Sequence, residues 1–318
     1  VQVDGGNTGD VTGAFKDATG TADSMNFEIQ SLSGADSETI DSITAVAIET
    51  INLKSTYTAT TATVTTDIAV VTDQTYSAAT SIVVTGDTNL TMSNAMTAAN
   101  LSTVDASAFT GDFKMTAHVK DLTITGGSGN DVFTMGTTLT AADVIDGGSN
   151  TGATGKDSVG ATINDLGTTA NHAALSIANV ETITLNTATA ASFISGTGIT
   201  GTSTIVIEND QNVTLSNLST DTTLQIAEVG ASLDDYTGTI TASLADETGA
   251  ADNLTITMSA QATDNGINGT LVTNAALETL TLQASTNTAT TNDVTLDVTK
   301  VKSGTLAITK GDASEAMT

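Results

Sequence analysis

Val180-Glu181-Thr182-Ile183-Thr184-Leu185 alternates apolar and hydroxyl-bearing side chains, and near copies occur twice more, at Ile48-Glu49-Thr50-Ile51-Asn52-Leu53 and at Leu277-Glu278-Thr279-Leu280-Thr281-Leu282. A period of two puts the Ile and Leu side chains on one face of an extended chain and Thr on the other. That is the pattern of a half-buried strand. An Asp stands upstream of each copy at nearly constant distance: Asp23 lies 26 residues before Glu49, Asp157 lies 24 before Glu181, and Asp252 lies 26 before Glu278. With the matched segments that follow, these copies predict a repeat of roughly 95–140 residues that varies by insertion.

The same alternation extends outward. Ser81-Ile82-Val83-Val84-Thr85, Ser203-Thr204-Ile205-Val206-Ile207, Leu254-Thr255-Ile256-Thr257-Met258 and Gly304-Thr305-Leu306-Ala307-Ile308-Thr309 all carry it, separated by short Gly, Asn, Asp and Ser clusters. Asn89-Leu90-Thr91-Met92-Ser93-Asn94 matches Asn212-Val213-Thr214-Leu215-Ser216-Asn217, and Phe109-Thr110-Gly111 matches Tyr236-Thr237-Gly238. Helix-period runs are short, with room for a turn or two over 138–145 and 168–178. We therefore expect an all-β, elongated repeat array: a β-solenoid or parallel β-helix with Gly-Asp-rich turns. Its regions run 1–145, 146–251 and 252–318. The first begins and the last stops inside a repeat, so a window on a longer array is expected.

Composition narrows the chemistry. The 318 residues include 67 Thr and no Cys, Pro, Trp or Arg, and 36 acids against 8 Lys give a net charge of −28. Without Cys there is no disulfide, thiolate metal site or thiol nucleophile. The acidity disfavours nucleic acid and anionic membrane surfaces as partners. No apolar run reaches the 18 residues that membrane insertion as a helix needs. At 39% hydrophobic and 14% charged, the chain can still bury a core. Its two histidines, His118 and His172, lack metal-protease spacing and read as surface or turn residues. No nucleophile elbow or phosphate loop is present, and paired acids such as Asp234-Asp235 read as turn acids or cation ligands. The chain is expected not to be an enzyme.

Gly126-Gly127-Ser128-Gly129-Asn130-Asp131-Val132-Phe133-Thr134 fits the calcium-binding nonapeptide G-G-x-G-x-D-x-U-x at every specified position. Glycines let such a turn aim carbonyl oxygens inward, Asp adds a carboxylate, and Phe133 anchors the following strand. Calcium takes six to eight oxygens. Asp146-Gly147-Gly148 followed by Asp157 is a gapped second version, and Asp4-Gly5-Gly6 with Asp10 and Asp23 is a third. The candidate Ca²⁺ ligands are thus Gly127, Gly129, Asn130, Asp131, Asp146, Asp157, Asp4, Asp10 and Asp23; ordinary Gly-Asp turns between strands are the other reading.

The block Ile124–Phe133 with Leu139–Gly148, the E-T-I-x-L segments and Asp105-Ala106-Ser107-Ala108-Phe109-Thr110-Gly111 resemble bacterial RTX-type surface-layer proteins. The resemblance is sharp only over 124–159; only one nonapeptide is complete, and no C-terminal export signal is visible. It implies a secreted, calcium-dependent, all-β protein, sent out by type I secretion and self-assembling into an extracellular lattice on the cell surface. Cell-surface polysaccharide would be met through a region outside this sequence. Two other readings stand beside it: a repeat spacer of a secreted RTX-like adhesin or biofilm protein, and a non-catalytic part of an extracellular enzyme.

Overall fold

The computed structural model describes residues 2–4, 9–15, 20–31, 38–57, 68–118, 121–150, 156–162, 175–186, 191–194, 198–208, 211–219, 222–227, 238–246, 252–259, 267–284 and 294–309. The chain forms two compact units. One comprises Val1–Gly160 with Ser176–Val180; the other comprises Ala161–Leu175 with Glu181–Thr318. The structure is all-β, as the alternation predicts, with no helix among the described residues.

The strands of the first unit are β1 (Gln2–Asp4), β2 (Asp10–Ala14), β3 (Ser24–Ser31), β4 (Glu38–Val46), β5 (Thr50–Tyr57), β6 (Ile68–Tyr76), β7 (Ser81–Gly86), β8 (Asn89–Met92), β9 (Thr103–Phe109), β10 (Phe113–Thr116), β11 (Thr123–Thr125), β12 (Val132–Gly136), β13 (Val144–Asp146), β14 (Ser158–Thr162) and β15 (Ser176–Ala178). Odd-numbered strands lie side by side in one sheet, from β1 to β15. Even-numbered strands form the other, from β2 to β14. Each turn of chain thus adds one strand to each sheet, and the registered neighbours are parallel. This is the winding of a parallel β-helix. The chain returns to the start of the next strand by going round the coil, which supplies the long crossover that parallel pairing needs.

Register explains the alternation. Met25, Ile51, Ile82, Val104, Ile124, Ile145 and Ile177 pair in sequence across β3, β5, β7, β9, β11, β13 and β15. All seven are buried. Each side chain of this column is worth about 1.5–3 kcal/mol of burial, and a one-residue slip would expose all of them together. Phe109 at the end of β9 packs edge-to-face on Phe113 of β10, and Phe113 on Phe133 of β12, with centroids 6.2 and 6.3 Å apart. Phe133 is fully buried, in the anchoring place expected of it.

In the second unit the strands are β16 (Thr182–Asn186), β17 (Ala191–Ile194), β18 (Ile199–Thr200), β19 (Thr204–Glu208), β20 (Val213–Leu218), β21 (Thr223–Ala227), β22 (Thr239–Leu244), β23 (Asn253–Ser259), β24 (Ile267–Ala284) and β25 (Val294–Thr309). One ladder runs β16-β19-β21-β23 and another β17-β20-β22. Both end on β24, an 18-residue strand whose first part pairs with β22 and whose second pairs with β23. β25 continues along it. Ile183, Ile205, Leu224, Ile256 and Leu282 form the buried column of the first ladder.

The short helical turns expected over 138–145 and 168–178 are absent where the structure describes them. Residues 137–138 and 141–142 form turns, and 144–146 and 176–178 are strands; residues 168–174 lie outside the described residues. Thr140-Ala141-Ala142-Asp143 has the composition of a helix start. The next coil of sheet takes the chain before a second helical turn can form.

Candidate metal centre in the glycine-rich turns

The turns leading into β8, β10, β12 and β14 present two adjacent residues each, and the two do opposite things. The first of each pair forms a ladder up the outside. Asn89 Oδ1 accepts from the Asp112 amide at 2.8 Å, Asp112 Oδ1 from the Asn130 amide at 2.8 Å, and Asn130 Oδ1 from the Lys156 amide at 2.8 Å. The second works inside and in the reverse sense. The Phe113 amide donates to Asp131 Oδ1 at 2.8 Å across 18 residues, and the Asp131 amide donates to Asp157 Oδ1 at 2.7 Å across 26. Asp131 Oδ2 takes the Gly127 amide at 2.6 Å. Backbone N–H groups at a corner have no strand partner, and burying one unpaired costs about 1–3 kcal/mol. Carboxylate and amide side chains at these positions satisfy them.

Glycine lets the coils approach. A Cβ on Gly127 would collide with the Phe109 carbonyl, one on Gly129 with Gly111, and one on Gly126 with the Gly147 carbonyl. Gly148 adopts φ +98°, which side-chain-bearing residues rarely do. Three carbonyls of this stack are engaged: Phe109 accepts from Ser128 at 3.0 Å, Gly127 from Ser149 at 2.9 Å, and Asp146 from Gly126 at 2.7 Å.

The structure thus brings together Gly127, Gly129, Asn130, Asp131 and Asp157. Asp146 ends β13 in the neighbouring part of the stack. Its Oδ1 accepts from the Gly148 amide at 3.0 Å and from Asn179 Nδ2 at 2.8 Å. The three early acids go to separate places. Asp4 lies in β1 in register with Gln30, Asp10 Oδ1 accepts from Ser42 Oγ at 2.6 Å, and Asp23 precedes β3. Among the described residues no three acidic or histidine side chains converge as a cation site.

Calcium needs oxygens facing one centre. Here N–H groups face both oxygens of Asp131, and the Phe109, Gly127 and Asp146 carbonyls each accept from an N–H group. As arranged, the donor set at Asp131 acts as a backbone clamp. Burial drives the Asp131 carboxyl above its ordinary pKa, against the pull of the Phe113 and Gly127 amides, and the charge on Asp112 adds to the rise.

Two devices were not assigned from sequence. Asp143 is fully buried, and its oxygens take the Leu122 and Thr140 amides, each at 2.7 Å. Burial raises its pKa as well. Its signal was present in T-x-x-D, half of a capping box. The second is a clasp. The Asp23 amide donates to Glu49 Oε2 at 2.9 Å, while the Asp23 carbonyl accepts from the Glu49 and Thr50 amides at 3.1 and 3.0 Å. Asp252 and Glu278 repeat it in the second unit, at 2.8 Å for the carboxylate and 3.0 Å for the return bond. The 26-residue spacing is the length of these two coils, in which Met25 registers with Ile51 and Asn253 with Thr279. Asn89 also has a counterpart, since Asn212 Oδ1 accepts from the Thr239 amide at 2.8 Å.

His118, expected at the surface or in a turn, is buried at 4% exposure; His172 and Asp234-Asp235 lie outside the described residues. A cavity of about 440 Å³ in the second unit is lined by Ile199, Thr200, Gly201, Thr202, Ile205, Ser219 and Thr222. That lining offers hydroxyls but no acid or base. No family model, curated protein or solved structure matches the chain.

Proposed function

We propose that the chain is a structural subunit of a bacterial surface layer, secreted and self-assembling outside the cell, with calcium as its stabilising counter-ion. The observation that carries this reading is the use of one device in both units. The Asp–Glu clasp and the Asn acceptor hold coil to coil in each, so polar groups that an enzyme would converge on one site are spent along the array. Calcium enters through charge. Eight Lys stand against 36 acids, and a compact chain of that charge repels itself. Divalent cations at the outer carboxylates, such as Asp73 and Asp105, offset that repulsion without requiring the Asp131 turn as a cage. Millimolar extracellular calcium suits such weak sites.

Negative-stain microscopy tests the reading, with the purified protein in millimolar Ca²⁺ and again after chelation. Ordered sheets or tubes that dissolve on chelation are expected. Monodisperse particles, unchanged by chelation, would reject the lattice and the counter-ion together and favour the adhesin spacer.

A further inference from the structure

The outer face of the ladder β16-β19-β21-β23-β24 carries an uninterrupted row of threonine. Thr182, Thr204, Thr223, Thr255 and Thr281 pair in register one after another. All five are half-exposed, while the Ile and Leu residues beside them are buried. Strand neighbours sit about 4.8 Å apart, so the row is a regular ridge of methyl and hydroxyl groups.

Charge is nearly excluded from this face. Among the outward residues of β16, β19, β21 and β23 and of the second part of β24, Glu208 alone is ionisable. Acids are not scarce in this part of the chain. Asp210, Asp221 and Asp234-Asp235 all occur in it. In the first unit, by contrast, Glu28, Lys54 and Asp105 stand on outward strand positions. A face whose one outward ionisable residue is Glu208, on a chain of net charge −28, is a surface that a second copy can approach without opposing rows of carboxylates.

We propose that this threonine face is a self-association surface, docking on the same face of a second copy. The inference rests on the surface-layer reading and names one contact of that lattice. Two such faces would interdigitate their methyl groups as in-register side chains do in dry sheet-to-sheet interfaces. The ladder offers roughly 400 Å² on each copy, from five strands about 4.8 Å apart and about five residues long. The sum, roughly 800 Å², falls below the ~1,200 Å² of a stable pair. The contact is therefore weak alone and effective when a lattice repeats it.

Sedimentation of the full chain between micromolar and millimolar concentration reads the contact directly. Wild-type protein is expected to self-associate reversibly. Thr204→Glu with Thr255→Glu should weaken association at least tenfold, with partial recovery at high salt because the new repulsion is screened. Thr204→Val with Thr255→Val, neutral and of similar shape, should keep it; circular dichroism confirms that each variant is folded. Association of the Glu pair at wild-type strength overturns the proposal, as does loss of association in the Val pair or a wild-type chain that stays monomeric throughout. Microscopy separates the two levels. If the Glu pair still forms wild-type sheets, this face is wrong and the surface-layer reading stands; if wild-type protein forms none, that reading fails.

Discussion

The turns before β10, β12 and β14 in the first unit and the ladder from β16 to β24 in the second solve the same problem by different means. Both must hold parallel coils together. In the first unit the corners are closed by side-chain acceptors: Asn89, Asp112 and Asn130 outside, Asp131 and Asp157 inside. Glycines let the backbones come close there. In the second unit the registered rows carry the order, threonine outside and Ile or Leu within. A corner closed by one buried carboxylate concentrates its stability in a few atoms. A ladder of small cross-strand contacts, each worth about 0.2–1 kcal/mol, spreads it. The first should break at single positions, and the second should degrade gradually.

The largest effect belongs to the glycine turns. Gly127→Ala sets a methyl group against the Phe109 carbonyl, which is backbone and cannot swing aside. A loss of about 4 kcal/mol is expected, at the severe end for single substitutions. Gly160→Ala is the control, because a Cβ there meets nothing within 4 Å. It should stay within about 0.5 kcal/mol. Denaturant midpoints of the two variants decide the matter; equal midpoints would dissolve the close-approach argument.

Next comes the buried carboxylate. Asp131→Ala strands the Phe113 and Gly127 amides, at about 2–4 kcal/mol for the two. Thr223→Ala, in the middle of the threonine row, should cost under about 1 kcal/mol. The pH dependence carries a distinct sign. The folded pKa of Asp131 is raised by burial, so its contribution is fully present below the ordinary Asp value and is lost as pH rises through the raised one. Chemical denaturation of the wild type should therefore show a gain from Asp131 as pH falls toward 3.8. Asp131→Asn lacks that titration, so the stability difference between the two should shrink toward higher pH. A difference that grows instead refutes the assignment.

The clasp sharpens the comparison from the other side, because both units have it. Glu49→Ala and Glu278→Ala each remove one acceptor from an Asp amide and should cost about 1–2 kcal/mol. Both sites are half-buried, so similar values are expected. A loss confined to one unit would mean that the shared E-T-x-x-L sequence does different work in the two.

Much of this was legible. The period-two alternation marked strands because the winding buries one face of each. The coil was not legible: the copies suggest a repeat of roughly 95–140 residues, whereas registered partners such as Val104 and Ile124, or Ile145 and Ile177, lie on adjacent coils far closer in sequence. The direction of the Asp131 carboxylate was not legible. A Gly-Gly-x-Gly-x-Asp turn can aim either carbonyls or amides at its centre, and the choice lies in glycine backbone angles that composition leaves open. Asp143 was hidden for a related reason. Its T-x-x-D pattern starts helices in isolation, yet here one oxygen goes to Leu122 of the preceding coil, a partner 21 residues away that no local pattern names. His118 follows the alternating run Phe113-Lys114-Met115-Thr116-Ala117, whose period points it outward, yet it is buried.

The smallest effect tests how far the E-T-I repeats are equivalent. Two residues before the Glu, the first copy has Ala47 at φ 57° and the second has Asn179 at φ 53°. Asn tolerates this left-handed conformation, and alanine is strained in it by about 1 kcal/mol. Asn179 also donates to Asp146, whereas the Ala47 side chain has nothing to donate. The Ala47 amide, held by Ser77 Oγ at 3.1 Å, is unaffected by changing the side chain. Ala47→Gly relieves the strain and gives back part of the gain as unfolded-chain entropy, for a net stabilisation of about 0.5 kcal/mol. Ala47→Asn should match it without the entropic cost. Asn179→Ala should go the other way by about 1–2 kcal/mol, since it adds strain and removes a hydrogen bond. If thermal unfolding ranked Ala47→Gly below wild type, the left-handed corner would not be a shared feature of the repeat, and the two copies would be alike in sequence only.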